Sequence, residues 1–516
     1  MPKFSRNKTR PNVTAPVATT GALGDRRTFE GADAFGRDAK SELFLLAVTN
    51  MVSEDAFYEV AVQRDQRFTD LVRQVTAEEG DWMQRFIPWL RREALMRSAS
   101  TVAAAEYVAA RGVHGRQVVA STLIRADEPA EALAYWTMAH GRNVPQPMKR
   151  GIADAVGATY DEYSAMKYDG LSRAWRMGDV IELTHPKPRD EAQSHLFRFL
   201  LDRRHHPEDL TVPDTLPKVQ LRRELEDLPD DQRRARLRAE GSELLARAGA
   251  TWEWLSGWLP GGMDAEAWQA VIPTMGYMAL LRNLRNFDEA EVSDAVADRV
   301  AQRLADPEQV AQSRQFPYRF WSAYRNVPSA RWVSALERAL DTSVSNVPAL
   351  PGRTLVLTDT SASMTGPVSR QSKIRHFEIA ALFAAAVAKR AEAVDLVSFA
   401  SDWERLKFRP KQSVLRTIEM VENRIGRVGH GTELGKALRT SFDGHDRVVV
   451  FSDMQTHDQV PELPPTTTVY VFNTGGYGAT PLRVGARGRY ELGGFSDATF
   501  RLMAVLEQVQ NADWPF

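Results

Sequence analysis

The sequence predicts a chain in two parts, a long all-α segment followed by an α/β doubly wound domain. From about Ala39 to Leu340, apolar residues recur at helical spacing, with short polar or Pro- and Gly-bearing breaks between the runs. Beyond Gly352, short apolar runs alternate with helical ones, the pattern of a parallel sheet covered on both faces. A third observation says where that second part keeps its site. In 354–364 the run Leu355-Val356-Leu357 turns abruptly into small hydroxyl residues around Asp359, and in open α/β sheets ligands sit just past the carboxyl ends of such strands.

A chain of 516 residues has room for about two to four domains with sizeable cores. The formal net charge of -1 and pI near 6.8 announce no global positive field, so any nucleic-acid surface must come from local segregation of the 66 Lys and Arg residues. The absence of cysteine excludes disulfides, thiolate metal sites and cysteine nucleophiles, and suits a reducing cytoplasm. No apolar run approaches the roughly 20 residues needed to span a bilayer, and the N-terminus lacks a signal-peptide core. The expectation is a cytoplasmic protein with no membrane partner.

Residues 1–24 carry Lys3, Arg6, Lys8 and Arg10 without an acidic partner until Asp25, and read as a flexible basic arm, a solubilising tail or a phosphate contact. The helical part is expected over 25–345. Runs 41–51, 85–96, 101–110, 130–139, 153–166 and 329–340 fit single helices, and 265–283 fits a helix broken at Pro273. Short turns between helices, with no strand signal, suggest helix pairs stacked as a solenoid, although no crisp repeat period stands out. The densely charged stretch 202–240 reads as an exposed helical insertion with mixed-sign pairs. A polar, Pro-containing linker over 342–352 marks the boundary to the second domain, 352–516. There strands are expected around 354–359, 394–399, 448–453 and 467–472. Helices are expected over 373–390, 412–424, after Thr432, and over 497–509.

Asp359, Ser361 and Ser363 form an Asp-x-Ser-x-Ser loop, and alone the pattern also fits a helix N-cap. Two further stretches agree with a site. Gly429-His430-Gly431-Thr432 is a Gly-rich turn delivering a hydroxyl just before a helix. Val448 to Asp453 is a second buried strand ending on a carboxylate. Asp359, Ser361, Ser363, Thr432 and Asp453 are hard oxygen donors suited to Mg2+ or Mn2+. The set resembles the metal-ion-dependent adhesion site of the von Willebrand factor A domain, with all five family positions present.

A helical segment followed by such a domain resembles the Ro autoantigen, or TROVE, family. The stretches carrying the resemblance are Met96-Arg97-Ser98-Ala99-Ser100, Met148 to Asp154, Lys167-Tyr168, Leu183 to Pro188, Ala279-Leu280-Leu281-Arg282-Asn283-Leu284 and Phe316 to Phe320. The resemblance implies a HEAT-like helical ring whose two ends are clasped by the A-type domain, and a monomeric assembly. It implies single-stranded 3′ ends of misfolded noncoding RNA held in a basic central hole, and Y-like RNA bound on the outer surface. It further implies RNA quality control or decay with an exoribonuclease such as polynucleotide phosphorylase. Lys167 and His185 match the family's hole-lining basic positions, and Arg173 stands near a third. Arg176 and Lys187 join them from local charge alone, since Lys and Arg neutralise phosphates and a narrow hole admits one strand. Arg282 and Asn283, in an apolar helix, are expected to be buried structural residues.

The metal loop could activate water, yet no general base or nucleophile stands with a partner in the sequence, and the expectation is a binding protein rather than an enzyme. Two other classes fit parts of the chain: a metal-dependent protein-binding adaptor with a helical scaffold and no RNA role, and a partner subunit of a chelatase-type ATPase. Neither calls for cations gathered inside a helical ring.

Overall fold

The computed structural model describes residues 17–516 except 50–55, 57, 171–172, 328, 345–346, 369–371, 410–411, 486–487, 495–498, 501–502, 504–505 and 507–513. Helices dominate from Ala39–Thr49 through Val333–Ser343, and each packs chiefly on helices near it in sequence. That is the contact pattern of a solenoid. Its tightest joint lies between Gly115–Thr122 and Gln146–Thr159: a Cβ on Gly151 would fall 2.7 Å from the Arg116 carbonyl, so only glycine lets these backbones meet. The break at Pro273 is present, with Ala265–Val271, a short 3-10 turn and then Tyr277–Glu289.

Two expectations are corrected. Residues 153–166 are not one helix. Gln146–Thr159 ends at Tyr160, and Glu162–Tyr168 restarts behind an Asp161 cap whose side chain accepts from the Ser164 amide at 2.7 Å. The stretch 202–240 is not an exposed appendage either. Leu216, Val219, Leu225 and Leu237 are buried, and Arg222 lies over the Trp254 ring at 4.0 Å while donating to the Ala248 carbonyl.

The second domain is a six-stranded sheet of Leu350–Asp359 (β5), Ala391–Phe399 (β6), Trp403–Leu406 (β7), Arg447–Ser452 (β8), Thr468–Asn473 (β9) and Arg489–Gly493 (β10), in spatial order β10-β9-β8-β5-β6-β7. All pairings are parallel except the edge strand β7. Helices His376–Arg390, Val414–Glu422 and Leu434–Ser441 cover it. Strand β5 is central, and Leu355 to Asp359 are all buried, which explains its unbroken apolar reading. Chain connections leave β5 toward β6 on one side and return as β8 on the other, so the carboxyl ends of β5 and β8 flank the switch point. Met503 and Leu506 are helical and buried within the expected last helix, most of which lies outside the described residues.

The sheet domain holds both ends of the helical stack. At the far end, Trp321 donates its indole N–H to Glu378 at 2.6 Å, and Arg325 pairs with Glu422. At the near end four two-residue strands intervene before the first helix: Thr19–Thr20 (β1), Arg26–Arg27 (β2), Asp33–Ala34 (β3) and Gly36–Arg37 (β4). β1 pairs with β4 and β2 with β3, and Phe35 bridges to Thr480. Residues 17–24 are therefore not the end of a free arm: Val17 is fully buried and the Thr19 amide donates to the Val484 carbonyl. Lys3, Arg6, Lys8 and Arg10 lie outside the described residues. Arg37 donates twice to Glu491, at 2.6 and 3.0 Å, with both side chains fully buried. Trp514 and Phe516 close the chain on Trp82, Phe86 and Trp89. The helical stack and the sheet domain thus make a closed ring.

Removing one partner of a buried ion pair strands the other charge, at a cost of about 3–5 kcal/mol. Glu491→Ala should therefore lower the urea midpoint clearly and speed amide exchange over residues 17–37. The double change Arg37→Met with Glu491→Leu should recover most of the loss.

Candidate functional site

Asp359 ends β5, Ser361 and Ser363 lie in the tight turn behind it, Thr432 precedes the Leu434–Ser441 helix, and Asp453 follows β8. The structure brings these elements together and buries all five residues. The Ser361 amide donates to Asp359 Oδ1 at 2.9 Å, Ser452 Oγ donates to Asp359 Oδ2 at 2.6 Å, and the Ser361 and Ser363 hydroxyls stand 3.2 Å apart. Ala362 donates its amide to the His430 carbonyl at 2.9 Å, locking the first loop to the second. Thr456 Oγ1 and the His457 amide donate to the Thr432 carbonyl at 2.8 and 2.9 Å, locking the second to the third.

Burial pushes the Asp359 carboxyl up to about 6, and burial together with the neighbouring Asp359 charge pushes Asp453 up to about 8. Among the described residues neither acid has a cation within ion-pair distance. Two buried acids in an all-oxygen cage, with no counter-charge from the protein, fit a hard divalent cation better than any protein partner. The donor set is rich in hydroxyls: among the described residues no group of three or more His, Asp or Glu side chains is placed to hold a metal.

The mouth of this site is covered from within, a feature the sequence reading missed. The turn between β2 and β3 lays Thr28, Phe29 and Glu30 across the third loop. Thr28 Oγ1 donates to the Thr456 carbonyl and the Phe29 amide to Gln455 Oε1, both at 2.8 Å. Glu30 pairs with His457 Nε2 at 2.7 Å and accepts from the Tyr58 hydroxyl. Phe29, Tyr58 and Tyr477 pack ring to ring. A Cβ on Gly475 would sit 2.6 Å from the Tyr477 ring and 2.9 Å from Asp453 Cβ, so glycine is what lets that ring lie against the acid. The Tyr58 proton is held tightly by burial, by Glu30 and by the field of Asp453. His457 is thus a contact of this hairpin.

The cationic candidates fall out differently. Lys167, on Glu162–Tyr168, is exposed, with Nζ 5.5 Å from the Tyr163 ring centroid and 5.3 Å from that of Tyr168. It borders a cavity of about 430 Å³ that Trp252 and Tyr277 also line. Arg173, His185 and Lys187 are exposed. His185 caps its helix in the left-handed region at φ 48°, held by its amide to Ile181. Arg176 is corrected: it is buried, pairs with Asp169 at 2.9 Å and caps the Met177–Thr184 helix, so it has no face to offer a phosphate. Arg282 is corrected in the opposite sense. Asn283 is buried, as expected, but Arg282 is exposed.

Three comparisons bear on this geometry. The TROVE domain profile matches residues 232–330. The protein named RNA-binding protein RO60 from Deinococcus radiodurans is 27% identical over 258 residues, which cover 46% of this chain and 44% of that relative, so the match spans less than half of it. The crystal structure of the Deinococcus radiodurans RO (RSR) protein aligns with 90% of this chain and all of that one, at a TM-score of 0.59 and 20% identity, a likeness of fold. Profile, relative and fold point the same way: residues 232–330 match the TROVE domain, and the chain is similar in part of its sequence and in fold to the Ro protein of Deinococcus radiodurans.

Proposed function

We infer that the protein binds noncoding RNA, taking single-stranded 3′ ends of misfolded molecules into the opening of its ring and Y-like RNA on its outer surface. It acts in RNA quality control or decay beside an exoribonuclease such as polynucleotide phosphorylase. The observation that carries the reading is Lys167, an exposed cation between two tyrosine rings at the edge of an aromatic-lined cavity. A cation beside stacking surfaces is what an unpaired strand needs, and a duplex does not. Exposed Arg173, His185 and Lys187 add phosphate contacts. The name of the Deinococcus relative supports the same class of ligand.

In this reading the five-residue cage holds Mg2+ or Mn2+ as a structural ion, and the protein is a binding protein rather than an enzyme. The metal-dependent adaptor reading needs an open mouth for a partner's carboxylate, and the Thr28–Glu30 turn lies across that mouth. A cytoplasmic setting suits the cysteine-free chain, and among the described residues no helix is long and apolar enough to cross a membrane.

Two measurements test this. On an RNA hairpin with a free 3′ tail, Lys167→Ala with His185→Ala should weaken binding about tenfold or more and flatten its salt dependence, each lost phosphate contact removing about 0.7 from the log-log slope. Asp359→Ala should leave that affinity nearly intact, and the reverse pattern would favour the adaptor. In a thermal melt, Mg2+ or Mn2+ at about a hundred times its Kd should add about 2.7 kcal/mol of stability relative to EDTA. Asp359→Ala should abolish that difference, and no shift in the native chain would leave the cage without an ion.

A further inference from the structure

The helix Tyr277–Glu289 leaves one edge of the stack uncovered. Arg282 and Arg285 stand one turn apart on it, and Arg319 faces them from the neighbouring helix Pro317–Asn326. Together with Ser322, Asn326 and Ser372 these arginines line a cavity of about 490 Å³, and among the described residues no carboxylate lines it. Ser372 comes from the sheet domain, so the cavity lies at the seam where that domain meets the helical stack.

Two other arginines nearby are matched with acids. Arg325 is paired with Glu422, and Arg331 with Asp288. Within the cavity only Arg285 has such a partner, Glu289, in an exposed i,i+4 pair that is weak in water and exchangeable for a better anion. Arg282 has no hydrogen bond or ion pair among the described residues, and Arg319 is held only over the Tyr318 ring at 5.0 Å. Convergent guanidinium groups without an acid repel one another and are stabilised by an anion with several oxygens, which the planar fork grips two at a time. The apolar side of Met278 forms part of this cavity and also part of the cavity beside Lys167. The two spaces therefore adjoin across one side chain of one helix.

We propose that Arg282 and Arg319 form a second phosphate-binding subsite for the unpaired RNA strand that passes Lys167. The strand crosses Met278 and sets its next phosphates on the arginine pair at the seam of the ring. Ser322, Asn326 and Ser372 supply neutral donors for the remaining phosphate oxygens or a ribose hydroxyl. The subsite rests on the RNA reading above and gives it a direction, from the helical stack toward the sheet domain.

The test is a titration of the full chain with a fluorescent 12-nucleotide oligouridine at several salt concentrations. Unlabelled uridine monophosphate and inorganic phosphate serve as competitors. The variants are Arg282→Gln with Arg319→Gln, the same pair changed to Lys, and Lys167→Ala, each checked by thermal melt. The Gln pair should weaken binding about tenfold or more and reduce the salt slope by about 1.4, two contacts' worth for a single strand. The Lys pair should keep the slope, since it keeps the charges, while losing part of the affinity. Neither small competitor should displace the oligonucleotide at millimolar concentration. If the Gln pair binds like the native chain while Lys167→Ala is impaired, the subsite is wrong and the RNA reading stands. If neither variant is impaired, both fall. If the Gln pair loses uridine monophosphate or phosphate binding but not the oligonucleotide, the cavity serves a free phosphate compound and the strand proposal is overturned.

Discussion

Much of this molecule depends on the buried pair between Arg37 and Glu491. A stack of helices has two ends, and each exposes the apolar face that one more repeat would have covered. Here one domain covers both, and the near closure runs through two side chains separated by most of the chain, fully desolvated and joined by two hydrogen bonds. Such a pair contributes little net stability against an apolar substitute, but it fails badly when half of it is lost. Its value is that it accepts only one docking. Arg37 also donates to the Tyr477 carbonyl at 2.7 Å, and Asn473 donates to Glu491, so the closure sets the loop that lies over Asp453. Ring closure and the five-residue oxygen cage are physically one assembly.

That coupling changes how the cage is understood. Two acids sunk between three loops hold their protons more tightly than free carboxyls, and a bound cation would favour their ionised forms. The loops are tied to one another by backbone carbonyls, and the β2–β3 turn seals the front with Glu30, Phe29 and the rings behind them. A domain built to greet an outside carboxylate would leave that face bare. Here the chain folds its own acid and its own aromatic residues over it. An ion held at such a site would strengthen the closure of the ring rather than the grip on a partner.

How much of this was legible in the sequence follows the range of the interactions. The five cage residues were readable because each sits at a strand or helix end that local pattern marks: an apolar run broken by Asp359, a Gly-rich turn before Thr432, a second run ending at Asp453. The helical character of the segment was readable from period, but not every helix was. Ala61–Glu78, Glu191–His205 and Asp294–Ala305 were not singled out, and the run 85–96 crosses the end of Gly80–Arg92. At Tyr160 a continuous apolar period overrode the local sign of the Asp161 cap. The strands β1 to β4 were not readable. Two residues carry no alternation, and besides pairing with one another these strands are held by loops more than 400 residues away, as Thr19 by Val484. Strand β7 was missed because it is a four-residue antiparallel edge in an otherwise parallel pattern. Arg176 misled because a basic residue beside candidate phosphate contacts looks like another one. Its true partner, Asp169, was seven residues earlier and could have been weighed.

Arg282 and Asn283 show how charge is placed in this chain. The motif around them is apolar, which suggested burial for both, yet successive helix positions are turned about 100° from each other and can face opposite surroundings. Asn283 turned inward and bonds the Ala279 carbonyl; Arg282 turned out. With 67 acids against 66 Lys and Arg, the protein is almost neutral, and many of its arginines are spent on neighbours, as Arg116 on Asp154, Arg234 on Asp264 and Arg238 on Glu266. Overall charge therefore says little about what it binds. The informative cations are those the fold leaves without an acid, and among the described residues Lys167, Arg173, Lys187, Arg282 and Arg319 have none within ion-pair distance. A neutral protein can present a polyanion with an attractive path as long as its unpaired cations are gathered and its paired ones are elsewhere.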